Sequence, residues 1–208
     1  MKHKKMMILA VALTMLTACA GETAPAFAPT QSSLYITSEG VITSATVETY
    51  EADYYSAEEL KASVDEALTE WGGSGDQAKA AVKECTMADG TAKLLIDFKT
   101  PSAYMDFMEE FPDEESAIQV KELDVTTVAD GISKGYLVGN RFYHLAKEKK
   151  EVSADEVMKQ SKLYVAAVEG PALIQTDGTV VYISTDVEQV GTNMVQTPAD
   201  GMSYIVFK

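Results

Sequence analysis

Tight-turn signals separate short stretches of alternating apolar and polar residues along most of this chain. That spacing restricts the fold more than any other feature, because it asks for an antiparallel sheet assembled from hairpins. Asp89-Gly90 divides "VKECTMA" from "TAKLLIDFK". Both central positions of such a two-residue turn take positive φ, which Gly accepts because it has no Cβ and Asp accepts better than most residues. Beyond the turn, Ala92, Leu94, Ile96 and Phe98 alternate with Lys93, Asp97 and Lys99, a strand with one dry and one wet face. The same reading makes hairpins of "SLYITSEGVITSATVETY" around Ser38-Glu39-Gly40, of "GYLVGNRFYHLA" around Gly139-Asn140, and of "PALIQTDGTVVYIST" around Asp177-Gly178. A further hairpin turn falls at Asp200-Gly201, before "MSYIVFK".

Helices interrupt this pattern. Ser56 and Glu59 stand at the spacing where an N-cap hydroxyl and a glutamate satisfy each other's backbone N–H. Leu60, Val64, Leu68 and Trp71 then recur at helical intervals until Gly72 to Gly75 ends the run. A short helix is expected over "DQAKAAV". Thr100-Pro101 opens another, since proline in the first turn gives up no hydrogen bond. Tyr104, Phe107, Met108 and Phe111 form its apolar face, and Pro112 stops it. Ser153 and Glu156 repeat the capping spacing in "SADEVMKQ". The expected fold is α+β: a mainly antiparallel sheet built from hairpins, with two to four helices packed on one side. No Pro/Gly-rich linker interrupts residues 34–208, which read as one domain. The acidic "EEFPDEES", around 109–116, is the place for a subdomain joint.

Charge narrows the function classes. The 208 residues carry 17 Lys+Arg and 32 Asp+Glu, a formal net charge of −15, and Arg141 is the one arginine. A chain this acidic, without a basic stripe, is not built to neutralise phosphates, so nucleic acid is not an expected partner.

The first residues follow a different logic. "MKHKK" is basic, and the apolar run Met6 to Ala18 spans 13 residues. A membrane span takes roughly 20 residues, whereas the apolar region of a signal peptide takes about 7–15. The run closes on Leu16, Thr17, Ala18 and Cys19, followed by Ala20 and Gly21. This "LTAC" resembles the lipobox of bacterial lipoprotein precursors, and the chain resembles small uncharacterised surface lipoproteins. The resemblance implies that residues 1–18 are a signal peptide, that Cys19 receives a diacylglyceryl group, and that cleavage makes Cys19 the first mature residue. Two acyl chains anchor stably where one is marginal. Residues 19–33, with Pro25 and Pro29 and no helical or strand period, read as the lipidated cysteine and a flexible tether. The expected location is the extracytoplasmic face of the cell membrane.

Catalytic chemistry has few candidates. With Cys19 lipidated, Cys85 has no partner for a disulfide; its alternation with Glu84 and Thr86 reads as a small buried hydrophobe. His144 is the one histidine after the signal segment, so a Ser-His or Cys-His nucleophilic pair would have to use it. No zinc or EF-hand spacing is present, so neither a metal nor a cofactor is implied. The acidic run from Glu109 to Glu115 reads as a solvated turn. Tyr136, Arg141, Phe142, Tyr143 and His144 crowd one expected hairpin. Aromatics beside an arginine are typical of recognition surfaces, which makes Tyr136, Arg141, Tyr143 and His144 candidate binding residues. The function expected is a non-enzymatic, membrane-anchored binding or interaction module, with the membrane and a protein or glycan as partners. The alternative is an envelope hydrolase using carboxylates or His144. A solute-binding component of a transporter is disfavoured, because the repeated βαβ pattern of two-lobed binding proteins is missing.

Overall fold

The computed structural model of the protein describes residues 26–50, 56–147 and 149–208. The expected signal segment, Cys19 and the first part of the expected tether lie outside these residues. In chain order the elements are β1 (Ser33–Ile36), β2 (Ile42–Thr49), α1 (Ala57–Gly72), β3 (Ala80–Ala88), β4 (Thr91–Phe98), α2 (Pro101–Glu110), β5 (Glu122–Thr127), α3 (Val128–Ser133) and β6 (Arg141–His144). Then follow β7 (Lys150–Ser153), α4 (Ala154–Met158), β8 (Tyr164–Glu169), β9 (Leu173–Thr176), β10 (Val180–Ser184), β11 (Glu188–Gln189), β12 (Met194–Gln196) and β13 (Met202–Phe207).

The fold is α+β and mainly antiparallel, with four helices among the described residues. The strands form two sheets. One has seven strands in the order β11-β12-β9-β1-β2-β4-β3; the other has six, β5-β8-β13-β10-β6-β7. One pair, β1 with β9, is parallel. One hydrophobic core joins the sheets: Leu34, Ile36, Ile42, Phe98 and Ile174 from the first meet Ala166, Val168, Ile183, Ile205 and Phe207 from the second. A second core lies on the far side of the six-stranded sheet, where Val165, Ala167, Tyr182 and Val206 pack against Val128 of α3 and Val157 of α4. That sheet is therefore covered on both faces, which explains why "YIVF" in β13 is continuously apolar and not alternating.

Several local expectations hold for the reasons given. The Ser56 hydroxyl accepts from the Glu59 N–H at 3.3 Å, and Thr100 accepts from the Ala103 N–H at 3.1 Å. Asp89 and Gly90 turn at φ 51° and 74°, joining β3 to β4. Others are corrected. "DQAKAAV" is not a helix: a single 3-10 turn at Gly75–Gln77 precedes β3. Pairing Ala80 with Phe98 and Val82 with Ile96 seats this segment on the sheet, and that outweighs alanine's helix propensity in so short a stretch. "GYLVGNRFYHLA" is not a hairpin either. Leu137 is fully buried at φ 70° in the second core, so residues 135–140 curl beneath the sheet, and β6 pairs with β7 and β10. Ser153 precedes α4 but makes no side-chain cap.

Asp177-Gly178 and Asp200-Gly201 reverse the chain without making hairpins, because each carries it from the seven-stranded sheet to the six-stranded one. The return from β8 to β9 passes Gly170, at φ 103°, where a Cβ would stand 2.2 Å from the Gln119 carbonyl oxygen. The buried Thr197 hydroxyl holds this crossing by donating to the Gly170 carbonyl at 2.7 Å and accepting from the Ala172 N–H at 2.8 Å. Ordered contacts also begin upstream of β1. Phe27 stacks on Tyr35 at 5.1 Å, Pro29 is buried, and the Ser32 hydroxyl accepts from the Val47 N–H at 3.0 Å.

Candidate functional site

The residues proposed from sequence do not converge. Tyr136 donates its hydroxyl to Asp124 at 2.9 Å and packs near Tyr204, at the β5 edge of the six-stranded sheet. Arg141 is exposed on β6, pairs with Glu151 across to β7, and lines a surface groove of about 640 Å³ with Asn140 and Asp155. Tyr143 follows at half burial and packs against the inter-sheet core. His144 points to the opposite face. It is 8% exposed and sits edge-on to the Tyr182 ring at 4.5 Å, its partner across β10. Tyr136 is held by Asp124 of β5, whereas His144 lies on β6, with β8, β13 and β10 between those two strands. Cys85 is half-buried, with its thiol 3.4 Å from the Ala57 carbonyl. Burial pushes its pKa up, Lys61 pulls it down and Asp65 pushes it up again, and the net rise disfavours the thiolate.

A concave site appears elsewhere, on the seven-stranded sheet. Strands β2 and β4 and helices α1 and α2 enclose a cavity of about 280 Å³ there. Leu94, Ile96 and Phe98 of β4 form its floor, with Ser44 and Thr46 of β2 beside them. Val64, Ala67 and Leu68 of α1 form one wall; Tyr104, Phe107 and Met108 of α2 form the other. Leu68, Ile96, Phe98, Tyr104 and Ile118 are buried and make the closed end, whereas Ser63, Phe111 and Asp113 are exposed and mark the mouth.

The aromatic rings here are ordered by contact. Phe98 meets Tyr104 edge-on at 5.4 Å and Phe107 at 5.2 Å; Phe107 meets Trp71 edge-on at 5.3 Å and Phe111 at 4.8 Å. Such pairs hold one another's ring planes in place. Tyr104 is fully buried, and its hydroxyl has no hydrogen-bond partner among the described residues. Burial drives its pKa far above the ordinary tyrosine value, so the phenol stays protonated.

Sequence reasoning placed Tyr104, Phe107, Met108 and Phe111 on one apolar helix face. It did not find the cavity, because the space depends on how α1 and α2 pack over β2 and β4. Among the described residues, no group of three or more His, Cys, Asp or Glu side chains is placed to hold a metal ion, and no helix is long and apolar enough to cross a membrane. No protein-family model, curated protein or solved structure matches the chain.

Proposed function

We propose that this chain is an extracytoplasmic lipoprotein, anchored to the cell membrane by lipid on Cys19, and that it works as a non-enzymatic binding module. Its binding site is the cavity beneath α1 and α2. The observation that carries the binding role is this cavity. Protein interiors pack to crystal-like density, and unfilled apolar space costs stability. A solvent-connected apolar space of about 280 Å³, walled by ordered aromatics, is what a small-ligand site requires.

The anchor rests on the basic start, the 13-residue apolar run and "LTAC". Because Phe27 is already packed on the fold, residues 20–26 set the reach from Cys19, at most about 29 Å. The domain is thus held close to the bilayer. The hydrolase alternative has less behind it, since His144 is buried in a strand pair away from the cavity.

Two measurements test this reading. The wild-type chain is expected in the membrane fraction, and Cys19→Ser is expected in the soluble one; a membrane-bound Cys19→Ser protein overturns the anchor. Naphthalene is expected to change Trp71 fluorescence saturably in the wild type and not in Ala67→Phe, which fills the cavity. Absence of saturable binding overturns the site.

A further inference from the structure

Resting on the cavity as the binding site, we infer that its ligand is an organic cation: an apolar body of about two rings carrying one ammonium group, with the body inside and the charge at the mouth beside Asp113 and Phe111. Size comes first. A dry cavity of about 150 Å³ holds one benzene ring, and about 280 Å³ is nearly twice that. The interior suits an apolar body. Val64, Leu94, Ile96, Phe98 and Met108 line it, and the polar side chains contributed by β2, Ser44 and Thr46, carry no charge.

The mouth decides the charge. Asp113 is the one lining residue that is charged at neutral pH; it is exposed and makes no ion pair with a described lysine or arginine. Phe111 brings an exposed aromatic ring to the same opening, and the face of such a ring attracts an ammonium group. Helix α2 also ends here. Phe111 is its C-cap and no basic residue stands in its last turn, so its own side chains do not offset the partial negative charge of its terminal carbonyls. The turn after α2 holds Asp113 in place. Its Oδ1 accepts from the Glu115 N–H at 3.1 Å, and its backbone carbonyl accepts from the Gln119 side-chain amide at 2.7 Å.

Charge and depth are thereby linked. An ammonium group at the closed end would lose its hydration among Leu68, Phe98 and Ile118 with nothing to replace it, whereas at the mouth it keeps water on one side. An anion on the same body would meet Asp113 with the same sign, and no cationic side chain among the described residues lines the cavity to compensate. Fatty acids and other amphiphilic anions are disfavoured. A neutral molecule fits the interior but draws nothing from the mouth. The formal net charge of −15 attracts cations to the whole surface as well, so cavity and surface must be separated by experiment.

Calorimetric titration of the purified full-length chain compares three probes of one shape: 2-(aminomethyl)naphthalene, charged at neutral pH; 2-(hydroxymethyl)naphthalene, its neutral counterpart; and 2-naphthoate. At low salt the amine is expected to bind about three- to tenfold tighter than the alcohol, the return on one exposed ion pair and one exposed cation–ring contact. The carboxylate is expected to bind more weakly than either. Asp113→Asn, which keeps Oδ1 as an acceptor for the Glu115 N–H, is expected to cut the amine's advantage at least by half. Ala67→Phe, which fills the cavity, is expected to abolish binding of amine and alcohol alike. Equal wild-type affinities for amine and alcohol, tighter binding of the carboxylate than of the alcohol, or an amine advantage untouched by Asp113→Asn would each overturn the cationic ligand, while alcohol binding that Ala67→Phe abolishes still upholds the cavity. Amine binding that survives Ala67→Phe would put the cation on the acidic surface and overturn the inference as well. Failure of every probe overturns the binding site itself. The comparison of probes on the wild type needs no variant to fold.

Discussion

Asp124, Lys134 and Tyr136 show how contacts distant in sequence set the chemistry of single side chains. Asp124 accepts from both the Lys134 ammonium and the Tyr136 hydroxyl on the outer face of β5. Partial burial pushes the carboxyl pKa up, but the two hydrogen bonds, the Lys134 charge and the Val125 N–H together hold it below the usual range. Tyr136 moves the other way: burial first, then its bond to Asp124, raise its pKa to about 12. The consequences for stability have opposite signs. A depressed carboxyl contributes above its unfolded pKa and loses that contribution as pH falls below about 4. A raised phenol contributes fully below about pH 10, and the contribution disappears as pH climbs from about 10 to 12, where the unfolded chain has released its proton and the folded one has not. Tyr136→Phe is therefore expected to flatten the loss of urea stability between about pH 10 and 12. It will not abolish that loss, because burial raises Tyr35, Tyr104, Tyr182 and Tyr204 as well. An unchanged slope in Tyr136→Phe would contradict the assignment. The side on which Cys85 lies was legible from its alternation with Glu84 and Thr86, although the residue is half-buried and not fully enclosed. The missing partner of the Tyr104 hydroxyl among the described residues was not, because it depends on which groups tertiary packing brings near that atom.

At the scale of elements, α1 is the weakly held wall of the cavity. Over Ala57–Gly72 it fully buries Leu68 and Gly72, leaves Leu60 36% exposed, and seats Val64 and Trp71 at half burial. Few buried apolar contacts mean a low free energy of local opening. Amide exchange in α1 is therefore expected to be faster than in β2 and β4 and insensitive to low urea, the mark of a small, local opening. Ser56→Ala removes an N-cap worth about 1 kcal/mol and should speed exchange in α1 about fivefold. Exchange of α1 at the same free energy as β4 would show instead that the helix opens only with the whole fold. The ends of α1 and α2 were legible because their signals are local: a hydroxyl at the N-cap, a proline in the first turn, a glycine past the end. Hairpins were legible only where the turn and both strands belong to one sheet, as at Asp89-Gly90. Asp177-Gly178 has the same composition, yet it separates strands of different sheets. A turn dipeptide specifies reversal of the chain; it does not specify which strand the next segment pairs with.

Across the whole molecule, the path of the chain binds the two sheets together. The stretch around 109–116 leads from α2 to β5, the first passage from the seven-stranded sheet to the six-stranded one. The chain returns between β8 and β9, leaves again before β10, comes back for β11 and β12, and ends its strands in the six-stranded sheet with β13. Neither sheet is built from one continuous segment, so neither can unfold by itself without pulling on short connections at both ends. The core between them reinforces this, since Ile205 and Ala166 of one sheet belong to the same apolar cluster as Leu34, Ile42 and Ile174 of the other. Ile205→Ala tests the coupling. Ile205 is fully buried in β13, and truncating such a side chain costs about 2–5 kcal/mol. If the molecule unfolds as one unit, the slowest-exchanging amides of β2 and β4 lose the same free energy as those of β8 and β10, although β2 and β4 lie in the other sheet. Were the stretch around 109–116 a joint between independent units, the loss would appear in β8 and β10 and leave β2 and β4 at their wild-type protection. Five passages between sheets within the described residues argue for the first outcome, because strand exchange on that scale leaves no surface along which the two halves can part.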